Sequence, residues 1–428
     1  MSSLFLVLIV HTLSSSRIHA FSHTYLVQWR GEKDFAYSPR EFREAEFRNA
    51  LQAEDLSSSS LKFESVMGDS AQPNQTNQND IIQLMSTEVS KMNVINGASR
   101  CATVRNLYEV LGEGESYESC ASAASEKDSF TMDERAGASW AVRCRDYRNG
   151  RVGKAVNVGK TFEREAIIGI SKVTDQLRGP VSLSTPTVLL YVAIFPGSRY
   201  LLLRELGHGF PDLRKFDPNT RRCITSTPLE PIAAFVMANC ARVRPGSSVI
   251  DLYAGSCATL LAAGGLCKDV KTVGVERDND WLVPFEKIRE DFTIRDLPPP
   301  HLIRGDSRDP KTLQEALDAN NGNPFDVIMA DPPYGKREKK DTNASEPLFD
   351  IVNACVTLPL LKKNGRLVVF VPVETEHLDT RSSMEVLESL CVTKPLLISA
   401  KLQLRELLSQ RLNAHLSRLL LVFEHVST

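Results

Sequence analysis

The five residues Asp331-Pro332-Pro333-Tyr334-Gly335 directly follow the apolar run Val327-Ile328-Met329-Ala330, and their types and order suit one kind of chemistry. The exocyclic amine of a nucleobase is a poor nucleophile, because its lone pair is delocalised into the ring. At the tip of a strand, Asp331 can accept one of its N–H groups and the carbonyls of Pro332 and Pro333 the other. The lone pair is thereby turned toward the methyl of a sulfonium donor, and the positive charge developing on nitrogen is stabilised. Proline fixes that backbone through its locked φ. Tyr334 can stack on a base that has left its helix or loop, a contact worth about 1–3 kcal/mol. Positioning in line with the donor supplies much of the rate, with no metal and no covalent nucleophile required. A plain turn could use two prolines, but it has no need of an acid before them and an aromatic after them. Asp331, Pro332, Pro333 and Tyr334 are therefore the candidate catalytic residues. Lys336, Arg337, Lys339 and Lys340 follow at once. Such a cationic run suits a passing phosphate backbone, with a solvated loop as the competing reading; Lys336 and Arg337 are candidate RNA contacts.

A second segment, Val249-Ile250-Asp251-Leu252-Tyr253-Ala254-Gly255-Ser256, reads as a strand entering a tight turn of small residues, with a helix beginning near Ala258. Small side chains let a ligand approach the backbone. A dinucleotide-phosphate loop would place Gly-x-Gly-x-x-Gly here; only Gly255 fits, and Cys257 stands where another glycine would, so phosphate binding is disfavoured. Glu276, at the end of the next strand, suits the two hydroxyls of a ribose, against the plainer reading of a solvated cap beside Arg277 and Asp278. In Arg304-Gly305-Asp306-Ser307 a carboxylate or neighbouring amide could meet an adenine amino group. The candidate cofactor-binding residues are Asp251, Ala254, Gly255, Glu276, Asp306, Ser307 and Asp331.

The elements that must position these side chains follow from the pattern after Pro228. The runs 248–251, 272–276, 302–306, 327–331 and 367–371 are short apolar strands separated by helical segments, the signature of a parallel, doubly wound sheet. Leu396 to Lys401 and Arg418 to Phe423 are expected to complete it. Asp251, Glu276, Asp306 and Asp331 end four of these strands, and the ligand crevice of such sheets lies beyond their carboxyl ends.

The first half is expected to be α+β. Strands are read at 25–29 and in the span 99–111, which ends in a turn at Gly112 and Gly114; helices are read at 39–51 and 163–176. Trp140 to Cys144 reads as an edge strand, and Val188 to Phe195 and Tyr200 to Arg204 as a hairpin across Pro196-Gly197-Ser198. Residues 53–80 and about 118–136 read as polar insertions, the first of them disordered. Residues 205–227 form a basic, turn-rich connector with Arg221 and Arg222 as further candidate RNA contacts.

At 428 residues the chain calls for two or three domains. With 51 basic against 53 acidic residues it has no global basic field, so any nucleic-acid contact must rest on local patches. The nine cysteines show no Cys-x-x-Cys pair, which disfavours zinc and reads as reduced, buried thiols. Leu4 to Val10 with Ile18-His19-Ala20 reads either as a signal or the first part of an organelle address, or as a spurious upstream start. No run reaches the roughly 20 apolar residues of a membrane span.

With Asp-Pro-Pro-Tyr-Gly-Lys-Arg-Glu following a methyltransferase-like sheet, the chain resembles the eukaryotic and archaeal tRNA guanosine-10 N2-methyltransferases, catalytic subunits that carry a THUMP domain. Ser99-Arg100-Cys101 through Tyr108-Glu109-Val110 and 112–117 resemble the N-terminal module of that family, and Gly179-Pro180-Val181-Ser182-Leu183 its THUMP core. Arg221-Arg222, Thr225-Ser226-Thr227 and the helix 231–241 resemble the linker into its catalytic domain. The family's Asp-Pro-Phe-Ala-Gly-Thr-Gly is here Asp251-Leu252-Tyr253-Ala254-Gly255-Ser256-Cys257, without the proline and the second glycine.

The resemblance implies an α/β fold, a Rossmann-like class I S-adenosylmethionine methyltransferase domain with a seven-stranded, mostly parallel sheet over 228–428. Before it come a targeting or spurious segment at 1–20, an α+β module at 21–136, a THUMP-like RNA-binding domain at 137–205 and a linker at 206–227. It also implies S-adenosylmethionine as cofactor, tRNA as substrate, a small zinc-binding activator subunit, no stable membrane association and a cytoplasmic location, or an organellar one if residues 1–20 are an address. The competing readings are methylation of ribosomal RNA guanine N2 or adenine N6, and a noncatalytic RNA-binding protein with a degenerate cofactor pocket.

Overall fold

The computed structural model describes residues 23–30, 40–53, 61–66, 81–127, 130–148, 158–225, 228–334, 346–390 and 394–426. The first half builds one sheet from β1 (His23–Trp29), β2 (Lys62–Ser65), β3 (Ile82–Thr87), β4 (Val104–Gly114), β5 (Trp140–Asp146), β6 (Val188–Phe195) and β7 (Arg199–His208), in the order β2-β3-β1-β4-β7-β6-β5. The helices Arg40–Ala53 and Lys91–Arg100 close a core around Tyr25, Val27, Trp29, Phe47 and Leu51. At the other end, Tyr117–Ser125 and Lys160–Gly169 cover β4 to β6. Alternation sends Tyr25 and Val27 to this face and Leu26 to the opposite one. The expected division at 136/137 therefore falls within a continuous sheet, because β4 pairs with β7 and β7 with β6.

Two expectations need correction here. Within the stretch 53–80, Lys62–Ser65 is a strand paired with β3, while 54–60 and 67–80 lie outside the described residues. The polar stretch 118–136 forms two helices, each opened by a reciprocal capping box, Ser116 with Ser119 and Thr131 with Glu134. Such boxes satisfy helix-end donors that polar composition alone does not reveal as helical. The glycines read as a turn belong to β4. A Cβ on Gly112 would stand 2.1 Å from the Cys120 carbonyl oxygen, so glycine there lets the helix Tyr117–Ser125 lie against the strand.

The second half contains β8 (Ser248–Asp251), β9 (Lys271–Glu276), β10 (His301–Arg304), β11 (Phe325–Ala330), β12 (Leu361–Glu374), β13 (Leu402–Arg411) and β14 (Leu416–His425), in the order β10-β9-β8-β11-β12-β14-β13. Strands β8 to β12 pair in parallel, and β14 runs antiparallel to both β12 and β13. This is a seven-stranded, mostly parallel sheet, as expected from the sequence. One apolar cluster lies on each face of the sheet. The order reverses between β8 and β11, the switch point where a crevice opens. The run 396–401 is not the expected strand: Lys394–Ser399 is helical and β13 begins at Leu402. A short apolar run has no period that separates helix from strand.

The halves are held by the helix Arg40–Ala53, which packs on Pro231–Cys240. Its Phe42 and Ala45 join the apolar cluster of the second half. Glu46, fully buried, accepts hydrogen bonds from the amides of Ala102 at 2.7 Å and Thr103 at 2.9 Å and from Asn239 Nδ2 at 2.9 Å. Asn49 donates to Glu406 at 2.5 Å and accepts from Arg366 at 2.7 Å. Burial pushes the Glu46 carboxyl above its ordinary value, against the donors that favour its charge. No helix among the described residues is long and apolar enough to cross a membrane.

Candidate active site

Register brings the acids to one edge. Asp251 is opposite Met329 of β11 and Gly274 of β9, so Asp331 and Glu276 each stand two residues farther along, on either side of it. Asp251 is 2% exposed; its carboxylate accepts the Tyr253 amide at 2.8 Å and the Thr259 hydroxyl. Burial raises its pKa to about 7, the Thr259 and Tyr253 donors pull it down, and the charges of Asp331 and Glu276 add to the rise. Asp251 therefore braces the turn from beneath.

The turn itself is shaped for close approach. Ala254 donates its amide to the Val275 carbonyl at 2.9 Å, and Gly255, at φ +48°, donates to Glu276 Oε2 at 2.7 Å. A Cβ on Gly255 would make only ordinary van der Waals contact, with Thr225 Cγ2 at 3.9 Å, so no neighbour among the described residues crowds that side of the backbone. Asp278 donates to Glu276 Oε1 at 2.7 Å, leaving lone pairs on both Glu276 oxygens for further donors such as hydroxyls. Cys257 occupies the glycine position at φ +61°, fully buried, with its amide 2.6 Å from the Ala254 carbonyl oxygen. The left-handed turn survives without the glycine; burial pushes the Cys257 thiol up, so it is no nucleophile.

Asp306 and Ser307 lie just beyond β10. Asp306 is paired with Arg308 at 2.6 Å, whose hydrogen bonds hold the carboxyl down to about 2 despite partial burial. Ser307 is buried. The loop after Glu276 carries Trp281, 78% exposed.

The candidate RNA contacts divide. Arg221 is buried: its guanidinium bonds the Ser256 carbonyl, and Nε lies 3.7 Å from Asp291. Its assignment as an RNA contact is corrected, because a side chain buried under the turn at Ser256 cannot reach a phosphate in solvent. Arg222 is exposed and paired with Glu290 at 3.1 Å. Lys336 and Arg337 lie outside the described residues. The sequence reading missed Asp291, fully buried, which accepts the amides of Arg222 at 2.7 Å and Cys223 at 3.0 Å and so anchors the linker.

At the tip of β11, Pro332 is buried and Pro333 exposed. The Tyr334 hydroxyl donates to Asp331 Oδ1 at 2.7 Å and receives a hydrogen bond from Arg418 Nη1 at 3.2 Å. The ring expected to stack on a base is thus turned toward the carboxylate in this structure. Arg418 is 3% exposed; it also pairs with Glu230 at 3.0 Å, donates to Gln410 at 2.8 Å and lies 3.9 Å over the Phe370 ring. Burial lifts the Asp331 carboxyl above its ordinary value, against the opposing pull of Arg418 and of the Tyr334 hydroxyl. Arg418 was also missed; the signal available was a cation inside an apolar strand, which needs a partner.

No protein-family model matches the chain. Over 245 residues it is 28% identical to a tRNA (guanine(10)-N2)-dimethyltransferase of Methanocaldococcus jannaschii, covering 56% of this chain and 63% of that protein. Over 251 residues it is 27% identical to the protein of the same name from Methanothermobacter thermautotrophicus, covering 58% and 64%. Over 254 residues it is 26% identical to the mouse (Mus musculus) tRNA (guanine(10)-N(2))-methyltransferase TRMT11, covering 50% of each. The chain thus spans less than two thirds of the length of these relatives. Among solved structures, TrmN from Thermus thermophilus superposes with a TM-score of 0.41 at 18% identity, over 95% of this chain and 100% of that one. SMU.472, a putative methyltransferase complexed with SAH, gives 0.43 at 10% identity, over 95% and 98%.

Proposed function

We propose that this chain methylates the exocyclic N2 of a guanosine in tRNA, at the guanosine-10 type of position, using S-adenosylmethionine. One observation carries the reading: Asp331-Pro332-Pro333-Tyr334 stands at the tip of β11, beside the turn Ala254-Gly255 and the carboxylate of Glu276. The names of the similar tRNA methyltransferases support the same substrate.

The residues present fit the cofactor. No close neighbour among the described residues crowds Gly255 where a ligand would approach the backbone, Glu276 retains acceptor capacity and would hold the ribose hydroxyls, and Asp306 and Ser307 would meet the adenine. When bound, S-adenosylmethionine supplies an electrophilic methyl on a positively charged sulfur. Asp331 accepts one N–H of the guanine amine while the proline carbonyls accept the other, which exposes the nitrogen lone pair and stabilises the charge it acquires. The proton shed by nitrogen after transfer passes to Asp331, whose raised affinity for it follows from burial. The Tyr334 hydroxyl stays on Oδ1 and leaves Oδ2 for the amine, while the ring offers its face for stacking on the base.

In this reading the first sheet, with the THUMP-like residues 137–205, grips the tRNA, Arg222 with Lys336 and Arg337 contacts its backbone, and a small zinc-binding subunit assists. The last point and a cytoplasmic location rest on the resemblance alone. The test is nucleoside mass spectrometry of tRNA incubated with the purified full chain and S-adenosylmethionine. N2-methylguanosine should form and should be lost with Asp331→Ala; modification at adenine N6 alone would decide for the rival enzyme. A chain that binds tRNA but never the cofactor would decide for a noncatalytic RNA-binding protein.

A further inference from the structure

We propose that Arg418 is the positioning residue of the methyl-transfer site, aiming Asp331 through the hydroxyl of Tyr334. The inference rests on the function proposed above for Asp331. The guanidinium sits in the middle of an otherwise apolar strand and is 3% exposed. A buried cation is expensive, and an apolar side chain of similar volume is often the more stable choice at such a place. Its partner Glu230 is 51% exposed, so much of that pairing is screened by water. What Arg418 does besides is geometric. Gln410 at 2.8 Å fixes Nε, Phe370 at 3.9 Å fixes the plane, and Glu230 at 3.0 Å takes Nη2. These three contacts leave Nη1 directed at the Tyr334 oxygen at 3.2 Å, which in turn holds Asp331 Oδ1 at 2.7 Å. The carboxylate is thus oriented from β14, on the far side of β12, by a chain of two hydrogen bonds.

The same chain sets the balance of charge around Asp331. Among the described residues, the charged and titratable groups acting on it are Arg418, Tyr334, Glu230 and Asp251, and of these Arg418 is the one cation. Removing it leaves the carboxylate among acids. The proton taken up after transfer would then bind more tightly and be released later, and the resting acid would be protonated at higher pH.

Arg418→Met keeps the volume and removes the charge, and Arg418→Lys restores the charge without the fork. In Arg418→Met, kcat should fall roughly 10- to 100-fold, the loss expected for a hydrogen bond to a charged group. The KM for S-adenosylmethionine should stay within about twofold, since uniform cofactor binding is untouched. The acid limb of the pH–rate profile should move to higher pH, and Arg418→Lys should recover part of both changes. In a Tyr334→Phe background Arg418→Met should cost much less, because the connection is already cut. Equal losses in both backgrounds with an unmoved acid limb would overturn the proposal. If the full chain methylated no tRNA, the proposed function would fall and the carboxyl of Asp331 followed by 13C NMR would decide. Its pKa must rise in Arg418→Met, and an unchanged value sinks the assignment.

Discussion

The Tyr334 hydroxyl lies 2.7 Å from Asp331 Oδ1, so the aromatic and the acid of one five-residue segment are bonded to each other before any base arrives. The hydroxyl occupies Oδ1 and leaves Oδ2 to accept a substrate amine. Tyr334→Phe keeps the ring and frees the acceptor, whereas Tyr334→Ala loses the stacking face. The phenylalanine variant should lose roughly 10- to 100-fold in kcat/KM for tRNA, as Arg418→Met does in kcat, because it cuts the same connection. The alanine variant should lose a further 10- to 100-fold, the equivalent of about 1–3 kcal/mol of base stacking. Steady-state kinetics of the pair checks this, and equal losses would show that the ring contributes nothing.

Asp331→Ala should cost roughly 100- to 1000-fold in kcat, the scale of removing one preorganised group that stabilises developing charge. Equilibrium dialysis should show S-adenosylmethionine still bound, because Gly255, Glu276 and Ser307 remain in place.

The buried Asp251 makes stability depend on pH in a defined direction. Its folded pKa of about 7 is above that of an unfolded aspartate, about 3.9, so the folded state binds the proton more tightly. The contribution is fully present below the unfolded value and is lost as pH rises toward the folded one. Asp251→Asn has no such titration. The Tm of Asp251→Asn relative to the parent should therefore climb from pH 4 to pH 7 and level off above it. A difference independent of pH would show that residue 251 stays ionised throughout.

Cys257 offers a reversal of the usual glycine rule. At φ +61° a side chain is strained, which costs about 1–2 kcal/mol. Replacing alanine by glycine inside regular structure costs about 0.5–1 kcal/mol. At this position Cys257→Gly should be at least as stable as Cys257→Ala in urea unfolding, and tighter in cofactor binding if the turn is relaxed. A glycine variant less stable than the alanine one would mean that packing outweighs the backbone.

Glu46→Ala strands the amides of Ala102 and Thr103, and each buried donor left alone costs about 1–3 kcal/mol. Calorimetry should show a lowered Tm for both halves at once, since residue 46 bonds Asn239 of the second half as well.

The catalytic sheet was legible because its strands are short apolar runs ending in acids, and the period and the order survive without tertiary information. Asp331, Gly255 and Glu276 all fell at one edge for that reason. Arg221 misled because a basic linker residue looks the same whether it reaches solvent or tucks beneath a turn; only burial distinguishes them. Arg418, Asp291 and Glu46 were illegible for a related reason. Each is a buried ionisable group that hydrogen-bonds partners far away in sequence, and composition carries no trace of such pairings. The helices at 117–125 and 132–136 were hidden by small and polar residues, whose helical role depends on capping and on Gly112 making room.

The helix Arg40–Ala53 belongs to the first half by sequence and to both halves by packing. A fragment beginning at residue 228 would therefore lose one wall: Phe42 and Ala45 would be missing from around Phe235, and Asn239 would face water where it now bonds Glu46. This seam behaves as a weld where two beads on a flexible string would swivel.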